Sequence, residues 1–254
     1  MMKAHVIVRR QCAFSCNQLM KTSLKSLVVL ATLAVATIGV QANQLTLSTS
    51  SSYSVGVGGA FIANVIDGPM TNADYSGAAK IGSTGFLTYC IEYNEEFYPS
   101  NLYPSYVYNY ALSYGAKNGG LSGQTTLNYD GVSNATAYLY SLFAQGNLAG
   151  VGGFSYNASS TGYGYLQQAI WFLEGEGGIN NLLAQAAINH EGANWNADNN
   201  GAYGVQAINM TYANGGVSQD QLYYHNVPEQ GLTVALLGFA LLGLAGVRRM
   251  IRSK

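Results

Sequence analysis

The sequence predicts an α+β fold, an antiparallel β-sandwich or barrel-like sheet carrying a helical insertion of two or three helices. Three observations carry that expectation. Short apolar or alternating runs separated by Gly, Asp and Asn fill residues 54–115, segments with helical period follow between residues 134 and 189, and alternation returns after residue 204. The stretch 43–226 holds about 180 residues, enough for one sizeable core.

Along the chain, Thr46 to Ser54 is Ser-rich and reads as a frayed lead-in. SVGVGGAFIANVI and GFLTYCIEY read as strands joined by tight turns, and Tyr-rich SYVYNYALSYG as another strand. NATAYLYSLFAQ sets Ala135, Tyr138, Leu139, Leu142 and Phe143 on one helical face, with Asn134 as the N-cap. GYLQQAIWFLEGEG and INNLLAQAAIN keep the same period and predict two more helices. HEGANWNADNNGAYG reads as a loop, and VQAINMTY and QDQLYYHNV as closing strands.

The ends differ from this middle. From Met20, Lys21 and Lys25 precede an apolar run, Leu27 to Val40, and Val40-Gln41-Ala42 supplies a small-residue cleavage site, the layout of a secretory signal peptide. Residues 1–19, with Arg9, Arg10, Cys12 and Cys16, read as an upstream extension, so residues 1–42 are set apart from the fold. A lipoprotein signal at Cys16 would need the apolar run before that cysteine, and it comes after.

At the other end, Leu232 to Val247 is 16 apolar or small residues followed by Arg248, Arg249, Arg252 and Lys254. As a helix it would reach about 24 Å, short of a hydrocarbon core of about 30 Å. Together with Val227, Pro228 and Glu229 ahead of it, this layout across residues 227–254 resembles the PEP-CTERM sorting signal. The resemblance implies an exosortase-type processing protease as partner, a transient membrane anchor through this helix, and delivery to the cell envelope or extracellular matrix. A plain tail anchor is the alternative.

Residues 43–226 contain two lysines, Lys80 and Lys117, and eleven Asp or Glu, so 2 − 11 gives a net charge of −9 without histidine. Such a surface repels phosphate backbones and argues against nucleic-acid binding. Carboxylates such as Glu92, Glu95, Glu96, Glu174 and Glu176 do not select a glycosidase pair by spacing, and His190, Glu191 and His225 match no ligand motif.

Cys90 is the only cysteine of residues 43–226. A lone cysteine in an exported chain implies an intermolecular disulfide, a reactive thiol or an inert buried one. Its segment, TYCIE, and the segment YLQQAIWF at Tyr165 to Phe172 together resemble the two signature motifs of bacterial thioester domains. AYLYSLFAQ is similar to the segment that precedes the glutamine motif in that family, and Leu166 stands where the adhesins of the family commonly have Thr. The resemblance implies a thioester cross-link between Cys90 and Gln167, with Trp171, Tyr89, Tyr165 and Glu92 shielding or supporting it. It implies covalent adhesion to amine or hydroxyl groups of a surface or matrix target, with no cofactor, no metal and no enzymatic turnover. On a strand Tyr89 points opposite to Cys90 and is read as packing, while Gln167 and Trp171, four apart, share a helical face. The competing expectation is a non-covalent protein of the exopolysaccharide or biofilm matrix.

Overall fold

The computed structural model describes residues 43–55, 58–70, 74–117 and 129–226, all within the unit Ala42–Lys254. The signal peptide and the sorting segment, with Val227, Pro228 and Glu229, lie outside the described residues. Among the described residues no helix is long and apolar enough to cross a membrane.

The fold is α+β, built on a seven-stranded antiparallel sheet. Its strands are β1 (Gln44–Ser48), β4 (Phe61–Asp67), β5 (Lys80–Ile81), β6 (Gly85–Thr88), β7 (Tyr108–Ser113), β10 (Val205–Tyr212) and β11 (Val217–Tyr224). Their order is β11-β10-β7-β1-β4-β6-β5. Two small ribbons accompany it: β2 (Ser54–Val55) with β3 (Gly58–Gly59), and β8 (Gly115–Lys117) with β9 (Tyr129–Gly131).

The sheet curls until β11 meets the extension of β6. Beyond β6 the chain continues extended through Tyr89, Cys90 and Ile91, where Leu222 N–H donates to the Tyr89 carbonyl at 3.0 Å and Ile91 N–H donates to the Asp220 carbonyl at 3.1 Å. Cys90 thereby faces Gln221 across an antiparallel bridge that joins β6 to β11. The barrel-like alternative is the one the chain adopts, and closure removes an otherwise unpaired edge. The Thr88 hydroxyl donates to the Leu222 carbonyl at 2.6 Å across the same seam.

The Ser-rich lead-in requires correction. Gln44 to Ser48 is the central strand of the sheet, paired to β4 on one side and β7 on the other. Leu45 and Leu47 are fully buried while Gln44, Thr46 and Ser48 are half-buried, a period of two that the serine content obscures.

Three helices form the insertion between β9 and β10: α1 (Asn134–Ala144), α2 (Ser160–Leu173) and α3 (Leu182–Glu191). The α1 cap lies one residue earlier than expected, because the Ser133 hydroxyl accepts from Thr136 N–H at 3.2 Å. Asn134 instead uses its side-chain amide on the Asn194 carbonyl. Helix α1 presents Tyr140, fully buried, whose hydroxyl lies 3.1 Å from the Leu87 carbonyl and 3.0 Å from the Leu222 carbonyl, pinning the helix over the barrel seam.

Helix α2 packs on the β2–β3 ribbon and ends in a Schellman motif. Glu176 N–H reaches the Trp171 carbonyl at 2.7 Å, Gly175 N–H reaches the Phe172 carbonyl at 3.2 Å, and Gly175 adopts φ 77°. That turn carries Glu176 back toward the cysteine segment, where its carboxylate accepts from Tyr93 N–H at 3.1 Å.

Candidate functional site

Cys90 and Gln167, 77 residues apart, meet at the seam, and both are fully buried. The contact uses both ends of the carboxamide. Cys90 N–H donates to Gln167 Oε1 at 3.1 Å, and Gln167 Nε2 donates to the Cys90 carbonyl at 2.9 Å. The glutamine is thus clamped along the backbone of the residue that carries the thiol, with its carbonyl oxygen already on a donor.

Three local features bring this about. The bridge to Gln221 fixes Cys90 on the closing strand, and the helical period of α2 turns Gln167 and Trp171 the same way. Gly58 then lets the helix approach: a Cβ there would strike the Trp171 ring and come within 2.9 Å of Gln167 Cγ.

Burial raises the Cys90 thiol well above the usual thiol range, a hydrogen bond from Gln221 works against that shift, and the charge of Glu95 adds to it. The thiol is therefore neutral at physiological pH, and nucleophilic attack has to move its proton. Gln221 Nε2 lies 3.5 Å from Cys90 Sγ, placing a donor beside the sulfur. The sequence reading missed Gln221. The alternation of QDQLYY predicts a strand, but nothing local tells which strand it would oppose.

Trp171 is 1% exposed and stands next to Gln167 above Gly58. Tyr93, 48% exposed, packs edge-to-face on it with ring centroids 4.9 Å apart and forms the outer layer of the cover. Tyr89 turns away from the thiol, fully buried, into an aromatic cluster with Phe143 at 5.1 Å and Tyr140 at 6.2 Å. Tyr165 does not join the site. Its ring stacks on Phe154 at 4.1 Å and its hydroxyl accepts from Leu182 N–H at the start of α3, because two positions along a helix is about 200° of rotation from Gln167.

Glu92 is buried, but its carboxyl makes no hydrogen bond to Gln167. It gathers with Glu95 and Asp220, one oxygen of each lying within 4.8 Å of the others. Burial, a side-chain hydrogen bond with Glu95, and the nearby Glu95, Asp220 and Glu176 carboxylates push Glu92 up to about 11. Glu174 serves the scaffold instead. It takes the Ser133 hydroxyl at 2.7 Å and the Ser133 N–H at 3.2 Å, and burial raises it to about 7. His190 pairs with Glu191 at 2.8 Å, whereas His225 lies against Tyr223.

Fold and site define an α+β barrel with a buried glutamine hydrogen-bonded to the backbone of a buried cysteine at its seam. No protein-family model, no curated protein and no solved structure matches the chain.

Proposed function

We propose that the chain is an exported thioester domain whose Cys90–Gln167 bond is a stored acyl donor for covalent attachment to a surface or matrix partner. The observation that carries this reading is the two-point clamp between the Gln167 carboxamide and the Cys90 backbone. In the forming step Cys90 Sγ attacks Gln167 Cδ, an S–C bond forms, the C–N bond breaks, and the thiol proton leaves with the nitrogen as ammonia. Negative charge develops on Oε1, where Cys90 N–H already donates, so the oxyanion is met by a fixed dipole in a dry site. Holding the reacting groups together supplies much of what an unactivated amide lacks in reactivity.

In the transfer step a partner amine or hydroxyl attacks the thioester carbonyl, an amide or ester forms at Gln167, and Cys90 regains its proton. The cover of Trp171 and Tyr93 limits water, and two lysines in residues 43–226 limit self-reaction. The remainder of the reading comes from the two ends of the sequence: export by the signal peptide, processing by an exosortase-type protease, and a cell-envelope or matrix location. Methylamine tests the acyl donor. The protein should gain one adduct on residue 167 and one free thiol at Cys90 in equal amounts, whereas a thiol fully titratable before methylamine and no adduct afterwards would overturn the reading.

One observation favours a second, non-covalent matrix role. Tyr98, Tyr106 and Tyr212, with Ser105 and Asn214, line a cleft of about 530 Å³. Aromatic faces with hydroxyl tips suit carbohydrate or peptide contact without chemistry. Retention of matrix binding by Cys90→Ala, with loss on Tyr106→Ala, would favour this role over covalent attachment.

A further inference from the structure

We propose that the cleft of Tyr98, Tyr106 and Tyr212 binds a neutral polysaccharide, with a sugar ring stacked on the tyrosine faces. The inference rests on the non-covalent role of this cleft and names its ligand class; it uses neither the thiol nor Gln167.

Three segments supply the cleft, and the sheet holds each in place. Tyr98 N–H donates to the Tyr108 hydroxyl at 2.8 Å and that hydroxyl donates back to the Tyr98 carbonyl at 2.7 Å, so β7 fixes the backbone of the first tyrosine. Tyr106 N–H donates to the Tyr103 carbonyl at 3.1 Å in the turn before β7. Tyr212 closes β10, with its N–H on the Gly216 carbonyl at 2.8 Å and its hydroxyl on the Glu96 carbonyl at 3.4 Å. Rings held in this way lose little freedom when a ligand arrives, which favours affinity.

The geometry of the rings narrows the ligand. Their centroids stand 4.8 Å apart for Tyr98 and Tyr106, 5.8 Å for Tyr98 and Tyr212, and 5.9 Å for Tyr106 and Tyr212, so the three touch and form one joined aromatic wall. A proline-rich peptide would need a groove between parted rings, and an ammonium ligand a cage around it. An added β-strand finds no free edge here, because Tyr212 is paired to Tyr108 of β7 and, on its other side, to the hairpin that leads into β11.

The chemistry of the lining narrows it further. No charged side chain lines the cleft, whose volume of about 530 Å³ falls in the range of about 300–1,000 Å³ common to small-ligand sites. The hydroxyls of Tyr98, Tyr106 and Ser105 and the amide nitrogen of Asn214 make no hydrogen bond among the described residues, while Asn214 Oδ1 is occupied by Gly216 N–H at 3.0 Å. Aromatic faces beside uncommitted hydroxyl and amide groups complement a sugar ring, which has an apolar C–H face and a hydroxylated edge. The Glu96 carboxylate acts on the Tyr212 hydroxyl, and two lysines stand against eleven acids in residues 43–226, so an acidic glycan or a phosphate is repelled.

The test is native affinity electrophoresis of the isolated protein in gels holding hydroxyethylcellulose, galactomannan, dextran, alginate or poly-L-proline, with Cys90→Ala, Tyr106→Ala and Asn214→Ala run alongside. At least one of the three neutral polysaccharides should retard wild type and Cys90→Ala equally, and added salt should leave the retardation unchanged. Tyr106→Ala should raise the dissociation constant about tenfold and Asn214→Ala about threefold. Asn214→Ala, on an exposed turn, keeps the test decisive should Tyr106→Ala fail to fold. No retardation by any neutral polysaccharide, stronger retardation by alginate, or retardation undiminished in both cleft variants would each overturn the proposal. Retardation by poly-L-proline alone, lost in Tyr106→Ala, would overturn the polysaccharide ligand while leaving the non-covalent role of the cleft standing.

Discussion

Helix α2 carries two buried polar contacts seven residues apart, and they have opposite characters. At one, Gln167 meets the backbone of Cys90 through two neutral hydrogen bonds beside a thiol. At the other, the Glu174 carboxylate just past the helix end takes the hydroxyl and N–H of Ser133, the cap of α1. The Glu174 contact is structural: every partner is a donor, nothing nucleophilic is near, and it locks one helix to the next. The Gln167 contact places a carboxamide against the backbone of the one residue here that carries a thiol. Burial alone therefore does not mark a site, and the identity of the facing partner does.

The largest expected effect separates the two contacts outright. Cys90→Ala should abolish methylamine incorporation completely, whereas Glu174→Gln, which keeps a group of the same shape at Ser133, should leave incorporation intact. Labelling of both variants under identical conditions checks this, and equal losses would erase the distinction.

Acid should sharpen it further. Glu174 has a folded pKa raised from 4.5 to about 7, so its contribution is fully present below pH 4.5 and is lost as pH rises through about 7. The loss amounts to about 3 kcal/mol at 1.36 kcal/mol per unit. Asp130, raised from 3.8 to about 6 by burial, acts in the same direction. Denaturant midpoints measured from pH 4 to pH 8 should fall with rising pH, and Glu174→Gln should flatten the profile.

A third variant probes the support of the Gln167 contact. Gly58→Ala drives a methyl into Trp171 and toward Gln167 Cγ, with a cost of about 1–3 kcal/mol from overpacking and a lower fraction of protein able to take methylamine. The Ser133 contact, two turns further along α2, should be unaffected in the pH profile. The smallest effect belongs to Gln221→Leu. Loss of one donor at 3.5 Å from the sulfur should slow thioester formation about fivefold, equivalent to about 1 kcal/mol, as read from ammonia release during refolding.

Much of the fold was legible from periodicity. The three helices fall where apolar residues recur every three to four positions, and the closing strands where they alternate. Gln44 to Ser48 escaped because only two leucines in five residues carry the alternation, and the Ser-rich run that follows resembles a loop. The Cys90 and Gln167 pair came from motif resemblance, and the structure brings those residues together without any local signal for it. Pairing across 77 residues depends on barrel closure, a property of the whole sheet. For the same reason Gln221 and the joining of Glu92 and Glu95 with Asp220 could not be read in advance, since the partners come from segments more than 120 residues apart. Tyr165 illustrates the converse: adjacency in the motif put it near Gln167, and helical rotation carries it away.

Intact mass of the isolated protein addresses the central claim most directly, with Cys90→Ala measured beside it. The account predicts wild type lighter than its sequence by one ammonia and the variant at its full sequence mass. Wild type at full sequence mass, differing from the variant by the side-chain substitution alone, would contradict it.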